Sequence, residues 1–259
     1  MAHHPPRSLL LVLGLLAAGP AWSQDAAPAV APEAGPDLSG TWRMDLSLTT
    51  EAKVPVIGKT VIQTDSIYIV EISGPPDAPV QEQRVCSITP NSSRSVVTTT
   101  IPDTFINAMP AKRFPLALTD LGDGRWRVVG DMQPLAIGFN RERSPGGVPQ
   151  QADHPAIGDH EGDGHPGATV HLSAPLFGKV EVYMVQHART VVDGVWSGGD
   201  LVEGSATVND FGQRTVGASN RLFIANPELR AVPETSIFRL ARVPAATTCA
   251  QLVRGVGAG

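Results

Sequence analysis

The feature that most constrains this chain is a period-two alternation of apolar and polar residues that recurs along most of its length. It is clearest where Trp42, Met44, Leu46 and Leu48 alternate with Arg43, Asp45, Ser47 and Thr49. Successive side chains of a strand point to opposite faces, so this pattern makes a strand with one wet and one dry face. Val54–Thr64 and Ser66–Ile72 are rich in Val and Ile, and Gln81–Ile88 and Ser95–Ile101 are β-favouring and bounded by Pro, Asn and Ser. Phe114–Leu118 and Arg125–Gly130 flank Asp120-Leu121-Gly122-Asp123-Gly124, a turn by composition. The pattern resumes in Ala168–Ser173, Lys179–Arg189, Val191–Ser197, Leu201–Val208, Gln213–Ala218 and Thr235–Val243, with Asp193-Gly194 and Asn209-Asp210 reading as turns. Helical periodicity is missing from every longer stretch, and one short helix is expected from Pro102 to Ala108, opened by Pro102 and Asp103.

About eleven short strands with almost no helix imply an all-β fold, a barrel or a sandwich. Short turns between sequential neighbours favour an up-and-down antiparallel meander, and closure removes exposed sheet edges. The expectation is a large antiparallel meander barrel or barrel-like sandwich over residues 38–249. A Gly-, Pro- and His-rich loop is inserted at 133–167, where the alternation lapses. A loop that long inside a compact domain is functional, disordered or ordered by an ion. Division into two domains at that loop is the alternative. Residues 250–259 read as a flexible tail.

Residues 1–23 have the form of a secretory signal peptide: Arg7, the apolar run Ser8–Leu16, then Ala21-Trp22-Ser23 as a cleavage site. Residues 24–37, dominated by Ala and Pro, read as a linker. The expected location is therefore secreted or periplasmic, through the Sec pathway. Only two cysteines are present, Cys86 and Cys249. In an oxidising compartment an even pair reads as one disulfide, with two free buried thiols as the alternative. A loop of that length is worth up to ~4–5 kcal/mol in the chain-entropy picture. Twenty Lys and Arg against 25 acids give a net charge of −5, which argues against a phosphate-binding surface and so against nucleic acid. Past the N-terminus, no stretch is long and apolar enough to cross a membrane as a helix.

Gly40-Thr41-Trp42, at the start of the first strand, resembles the Gly-x-Trp opening of lipocalin and calycin barrels. The resemblance implies that Trp42 closes the barrel floor against an Arg of the last strand, Arg239 or Arg242, with Arg239 the expected partner. It also implies a small apolar ligand inside the barrel. The Thr-Asp-Tyr element of those barrels is missing. A plain core anchor is the other reading of Trp42.

Asp159-His160-Glu161-Gly162-Asp163-Gly164 resembles the Asp-x-Asp-x-Asp-Gly calcium loop of EF-hands, dockerins and thrombospondin-type repeats. Oxygens of Asp159, Glu161 and Asp163 and the His165 carbonyl would hold calcium in a structural role, with Gly164 taking the sharp turn. Val170 stands where an EF-hand has its bidentate Glu, so the remaining ligands must come from Asp153 or elsewhere. An ordinary polar turn is the competing reading. His154, His160, His165 and His171 suit zinc or copper by residue type, but their spacing suits solvated loop histidines better. His187 reads as a barrel-wall residue.

No nucleophile elbow, zinc-protease motif, phosphate loop or dinucleotide fingerprint is present. Glu181 and Glu203, on adjacent-type strands, are a carboxylate pair of the kind a glycosidase-like hydrolysis uses, and the spacing does not select them over solvent-exposed acids. Two functions are expected: a non-catalytic binder of a small apolar ligand, or an envelope or extracellular interaction module with a calcium-stabilised loop.

Overall fold

The computed structural model describes residues 35–54, 58–93, 97–175 and 177–255. The expected signal peptide at residues 1–23, most of the expected linker and the last four residues lie outside them. Twelve strands form one antiparallel sheet. In chain order they are β1 (Gly40–Val54), β2 (Gly58–Ser73), β3 (Val80–Ser92), β4 (Thr98–Thr100), β5 (Lys112–Gly122), β6 (Arg125–Asp131), β7 (Leu135–Ile137), β8 (Ala168–Ala174), β9 (Gly178–Trp196), β10 (Leu201–Ala218), β11 (Glu228–Ala231) and β12 (Ile237–Arg242). Two short helices accompany them, α1 (Asp103–Ala108) and α2 (Cys249–Arg254).

Hydrogen-bonded pairing runs β10-β12-β1-β2-β3-β5-β6-β9, and β9 pairs back onto β10. The result is a barrel-like meander, as the alternation implies, and not a regular barrel. The reason is the length of two strands. Only Val191–Trp196 of β9 pair with β6, and only Leu201–Ser205 of β10 pair with β12. The rest of this hairpin runs out of the ring and pairs with β7 and β8, and β8 carries β4. A second layer is built there.

Inward residues of the ring make the main core. Trp42, Met44 and Leu46 of β1 meet Val70, Ile72, Phe114, Leu116, Phe238 and Leu240, all buried. The ring interior is therefore filled by side chains. A second cluster joins Val85, Phe105, Ile106, Met109, Ile137 and Val170 under α1. A third, of Phe139, Tyr183, Val185 and Val216, lies beneath the long loop.

Several elements differ from the sequence expectation. Val54 ends β1, and the two strands expected over residues 54–72 are one strand, β2. Asp193-Gly194 is no turn. It lies inside β9, where Gly194 pairs with Gly204. A Cβ on Gly194 would stand 2.7 Å from Phe238 Cζ, so small residues there make room for a core ring. Asn209-Asp210 is a bulge inside β10, with Asp210 at φ 49°. Cys249–Arg254 is helical and not a flexible tail. Thr248 and Gln251 form a capping box at its start, a signal too local to show as periodicity. Pro36, assigned to the linker, is buried against the fold.

Cys86 and Cys249 are joined in a disulfide, with Cα atoms 5.0 Å apart. Cys86 is the extra residue of a bulge in β3, where the register steps from Ile67–Ser87 to Tyr68–Val85. That step leaves Cys86 outside the ladder, in reach of α2.

Candidate functional site

The long loop is tied by backbone hydrogen bonds. Phe139 bridges Ile157, and the Gly158 N–H donates to the Gly138 carbonyl at 3.0 Å. The Gly167 N–H donates to the Gly158 carbonyl at 2.7 Å, and the His160 N–H to the Gly167 carbonyl at 2.8 Å. Gly138 and Gly167 have φ of 74° and 85°. A Cβ on Gly167 would stand 2.5 Å from the Met184 carbonyl oxygen, so only glycine allows this stacking on β9.

On that platform Asp159, Glu161 and Asp163 converge. One carboxylate oxygen from each lies within 4.8 Å of the others. Asp159 accepts backbone N–H bonds from Gly162 (2.7 Å), Asp163 (3.0 Å) and Gly164 (2.8 Å). These donors, Gly164 first, hold its carboxyl below the usual carboxylate range. Asp163 accepts from the His165 N–H at 2.9 Å and from the Thr169 hydroxyl at 2.6 Å. Glu161 Oε1 accepts from the Thr169 N–H at 2.6 Å. Its Oε2 is buried and has no hydrogen-bond partner. Converging carboxylates repel, and a buried oxygen without a donor is costly.

Two of the histidines read as solvated, His160 and His165, are half-buried against aromatic rings. The His165 ring stacks on Tyr183 with centroids 4.3 Å apart, and the His160 ring meets Phe105 edge-on at 5.2 Å. Neither ring nitrogen joins the acidic cluster, which is the single group of three or more possible metal ligands among the described residues. Tyr183 donates to Glu181 at 3.2 Å. Burial, then the charges of Glu181 and Asp163, raise its pKa.

A second set of contacts, missed from sequence, holds the loop at its other end. His187 is 6% exposed, and its Nε2 lies 3.2 Å from Asp210 Oδ1. Arg141 donates to the other oxygen of Asp210 at 2.7 Å. Arg141, more than the charge of His187, lowers the pKa of Asp210. The bulge in β10 turns Asp210 toward both partners. No local signal marks this, because the three residues are far apart in sequence. A cleft of about 410 Å³ opens between Phe139, Arg143 and His160, beside Asp159.

At the end of the ring, Arg242 and not Arg239 lies over Trp42, with its guanidinium carbon 4.3 Å from the ring centroid. Register explains the correction. Directly paired residues share a face, Trp42 pairs with Arg242, and Arg239 pairs with Asp45 on the outside. Arg239 instead donates to Glu203 at 3.1 Å. Trp42 Nε1 donates to the Leu38 carbonyl at 2.8 Å. Glu181 and Glu203 cannot act as a hydrolytic pair. Glu203 pairs in register with Val195, fourteen residues along β9 from Glu181, or about 45 Å of strand.

No protein-family model, curated protein or solved structure matches the chain. No helix among the described residues is long and apolar enough to cross a membrane.

Proposed function

We propose that the chain is an exported, non-catalytic interaction module whose long loop is ordered by a structural divalent cation, calcium by its chemistry. The observation that carries this reading is the buried, partnerless Oε2 of Glu161 within the Asp159–Glu161–Asp163 cluster. A hard cation with oxygen ligands on a short flexible segment relieves the repulsion and satisfies that oxygen. The His165 carbonyl and water would complete the shell. Export rests on the N-terminal apolar run and its Ala21-Trp22-Ser23 site. The other expected function, a small apolar ligand inside the ring, needs room where Trp42, Phe114 and Phe238 already pack, so the ring interior favours the module.

The test is native mass spectrometry and thermal unfolding with calcium, magnesium or chelator. One calcium is expected per chain. Calcium at a hundredfold excess over Kd should add about 2.7 kcal/mol of stability, lost with chelator. Glu161→Gln should abolish the calcium response while leaving the fold intact. A melting curve indifferent to calcium, magnesium and chelator, with no metal adduct, overturns the reading.

A further inference from the structure

A groove of about 620 Å³ crosses the outer face of the sheet where β12, β1, β2 and β3 lie side by side. Register builds it from two neighbouring rows of outward residues. One row is Ile237, Ser47, Asp65 and Thr89; the other is Arg239, Asp45, Ile67 and Ser87. The next part of this face is taken by α2, whose Cys249 is bonded to Cys86 and whose Leu252 carbonyl accepts from Arg43 at 3.0 Å. No residue of α2 lines the groove, so the two rows stay open. Ile237 is 59% exposed there. With Ile67 it gives the groove an apolar patch between polar side chains, the make-up of a small-molecule site.

The polar groups decide which ligand fits. Arg43 is bidentate on Asp45, with Nε 2.9 and 2.8 Å from its two oxygens, and Arg239 donates to Glu203 at 3.1 Å. Both guanidinium groups of the groove are therefore committed to carboxylates. Asp65 is different. It accepts from the Ser47 hydroxyl at 2.6 Å and from Gln63 Nε2 and Asn91 Nδ2, each at 3.0 Å. All three donors are neutral, and no cation pairs with Asp65 among the described residues. They fix the carboxylate in place and leave its charge uncompensated. The hydroxyls of Ser87 and Thr89 have no hydrogen-bond partner among the described residues. Neither Arg84 of β3 nor Arg254 of α2 lines the groove. A ligand thus meets one fixed negative charge, free hydroxyls and an apolar patch, and an anion finds no uncommitted cation.

We propose that this groove binds a small organic amine, with its ammonium on Asp65 and its apolar body along Ile67 and Ile237. An aliphatic amine carries a proton at neutral pH, as the lysine side chain does. An ammonium at Asp65 has the Thr89 hydroxyl directly across the ladder and Ser87 one pair further on. From β2, where Ile67 lies, to β12, where Ile237 lies, is two strand spacings, about 10 Å, room for a short alkyl chain or a single ring. The site does not rest on a cation in the long loop.

The test is an NMR titration of the 15N-labelled chain with hexylamine at neutral pH in phosphate buffer, with hexanol and hexanoate as controls. Hexylamine should shift the amide signals of residues 45–47, 65–67 and 87–89, and both controls should bind at least about tenfold more weakly. Asp65→Asn removes the charge and should cost about tenfold in affinity. Because Asp65 also ties Ser47, Gln63 and Asn91, a second variant keeps the test independent of folding. Ile237→Lys, at an exposed position, puts a tethered ammonium into the groove and should weaken hexylamine by about tenfold with unchanged melting. Chelator should alter none of these values. No shift with hexylamine, equal binding of hexanol, tighter binding of hexanoate, or unchanged affinity in Ile237→Lys overturns the proposal. A lysine-containing peptide that binds far more tightly than the free amine also overturns it, and assigns the groove to a protein partner.

Discussion

The ring and the loop-bearing layer beside it are made of the same chain and held by different forces. In the ring, long antiparallel ladders bury Trp42, Met44, Phe114 and Phe238 in one apolar cluster. In residues 138–167 buried apolar side chains are few. Order there comes from glycine stacking, from Thr169 binding both Glu161 and Asp163, from Arg214 donating to Gln150, and from Asp210 joining Arg141 to His187. Apolar burial is non-directional and cooperative, so the ring unfolds as a unit. The loop depends on a few directional contacts, any one of which can fail alone.

That contrast is open to direct attack. The largest effect is expected from Trp42→Ala, which empties the ring beneath Arg242. It should cost about 3–5 kcal/mol in denaturant unfolding, for the whole fold at once. Replacing both cysteines by Ser should cost up to about 5 kcal/mol, more typically 2–4, and should also raise hydrogen exchange in α2 before the ring is affected. Gly167→Ala forces a Cβ onto the Met184 carbonyl and a strained φ, at about 1–3 kcal/mol. Its signature should be local: faster exchange over residues 138–167, with the ring amides still protected. If Gly167→Ala instead melts the ring and loop together, the two regions are one cooperative unit.

Smaller effects should come from charge. Asp131 and Asp193 are held below the usual carboxylate range, 3.8, by hydrogen bonds from Arg189 and Arg127, and Asp210 by Arg141. A carboxyl depressed in the fold stabilises it fully above its unfolded value, and the benefit disappears as pH falls through the folded value. Stability from these pairs should therefore be flat from pH 5 to 8 and drop below about pH 4. The loop clasp at Asp210 should open in the same acid range, seen as faster exchange near Asn140. Arg127→Ala should have the smallest effect of all, because the Arg127–Asp193 pair is largely exposed and screened by solvent, and denaturant unfolding should barely move.

The same contrast explains what could be read from sequence. Alternation at Trp42–Thr49 announces a strand and its buried face, because both follow from a local period. Pro102 and Asp103 announce α1 for an equally local reason. Asp193-Gly194 misleads because glycine serves two purposes, turning a chain and making room, and only the distant Phe238 ring shows which one applies. Arg239 against Arg242 is decided by register, which the alternation of β12 alone leaves open until β1 is aligned to it. The acidic loop residues are visible as a motif. The burial of Glu161 Oε2 is not, since it comes from packing of the loop against β8. The Arg141–Asp210–His187 clasp is invisible for the same reason.

The order of strands in the ring has a consequence in time. β12, the last strand made, lies between β10 and β1, and Trp42 of the first strand finds its partner Arg242 two hundred residues later. Until β12 emerges, β1 has one edge without a neighbour in the ring, and an open edge is a template for pairing with another chain. The final step of folding is therefore a long-range closure, slow by its loop entropy. Cys249 follows directly behind it, so the disulfide acts as a latch applied only after the seam has shut. A second copy offering its own β12 during that interval would be sewn into the same seam, and strand exchange is the characteristic assembly error of such a chain.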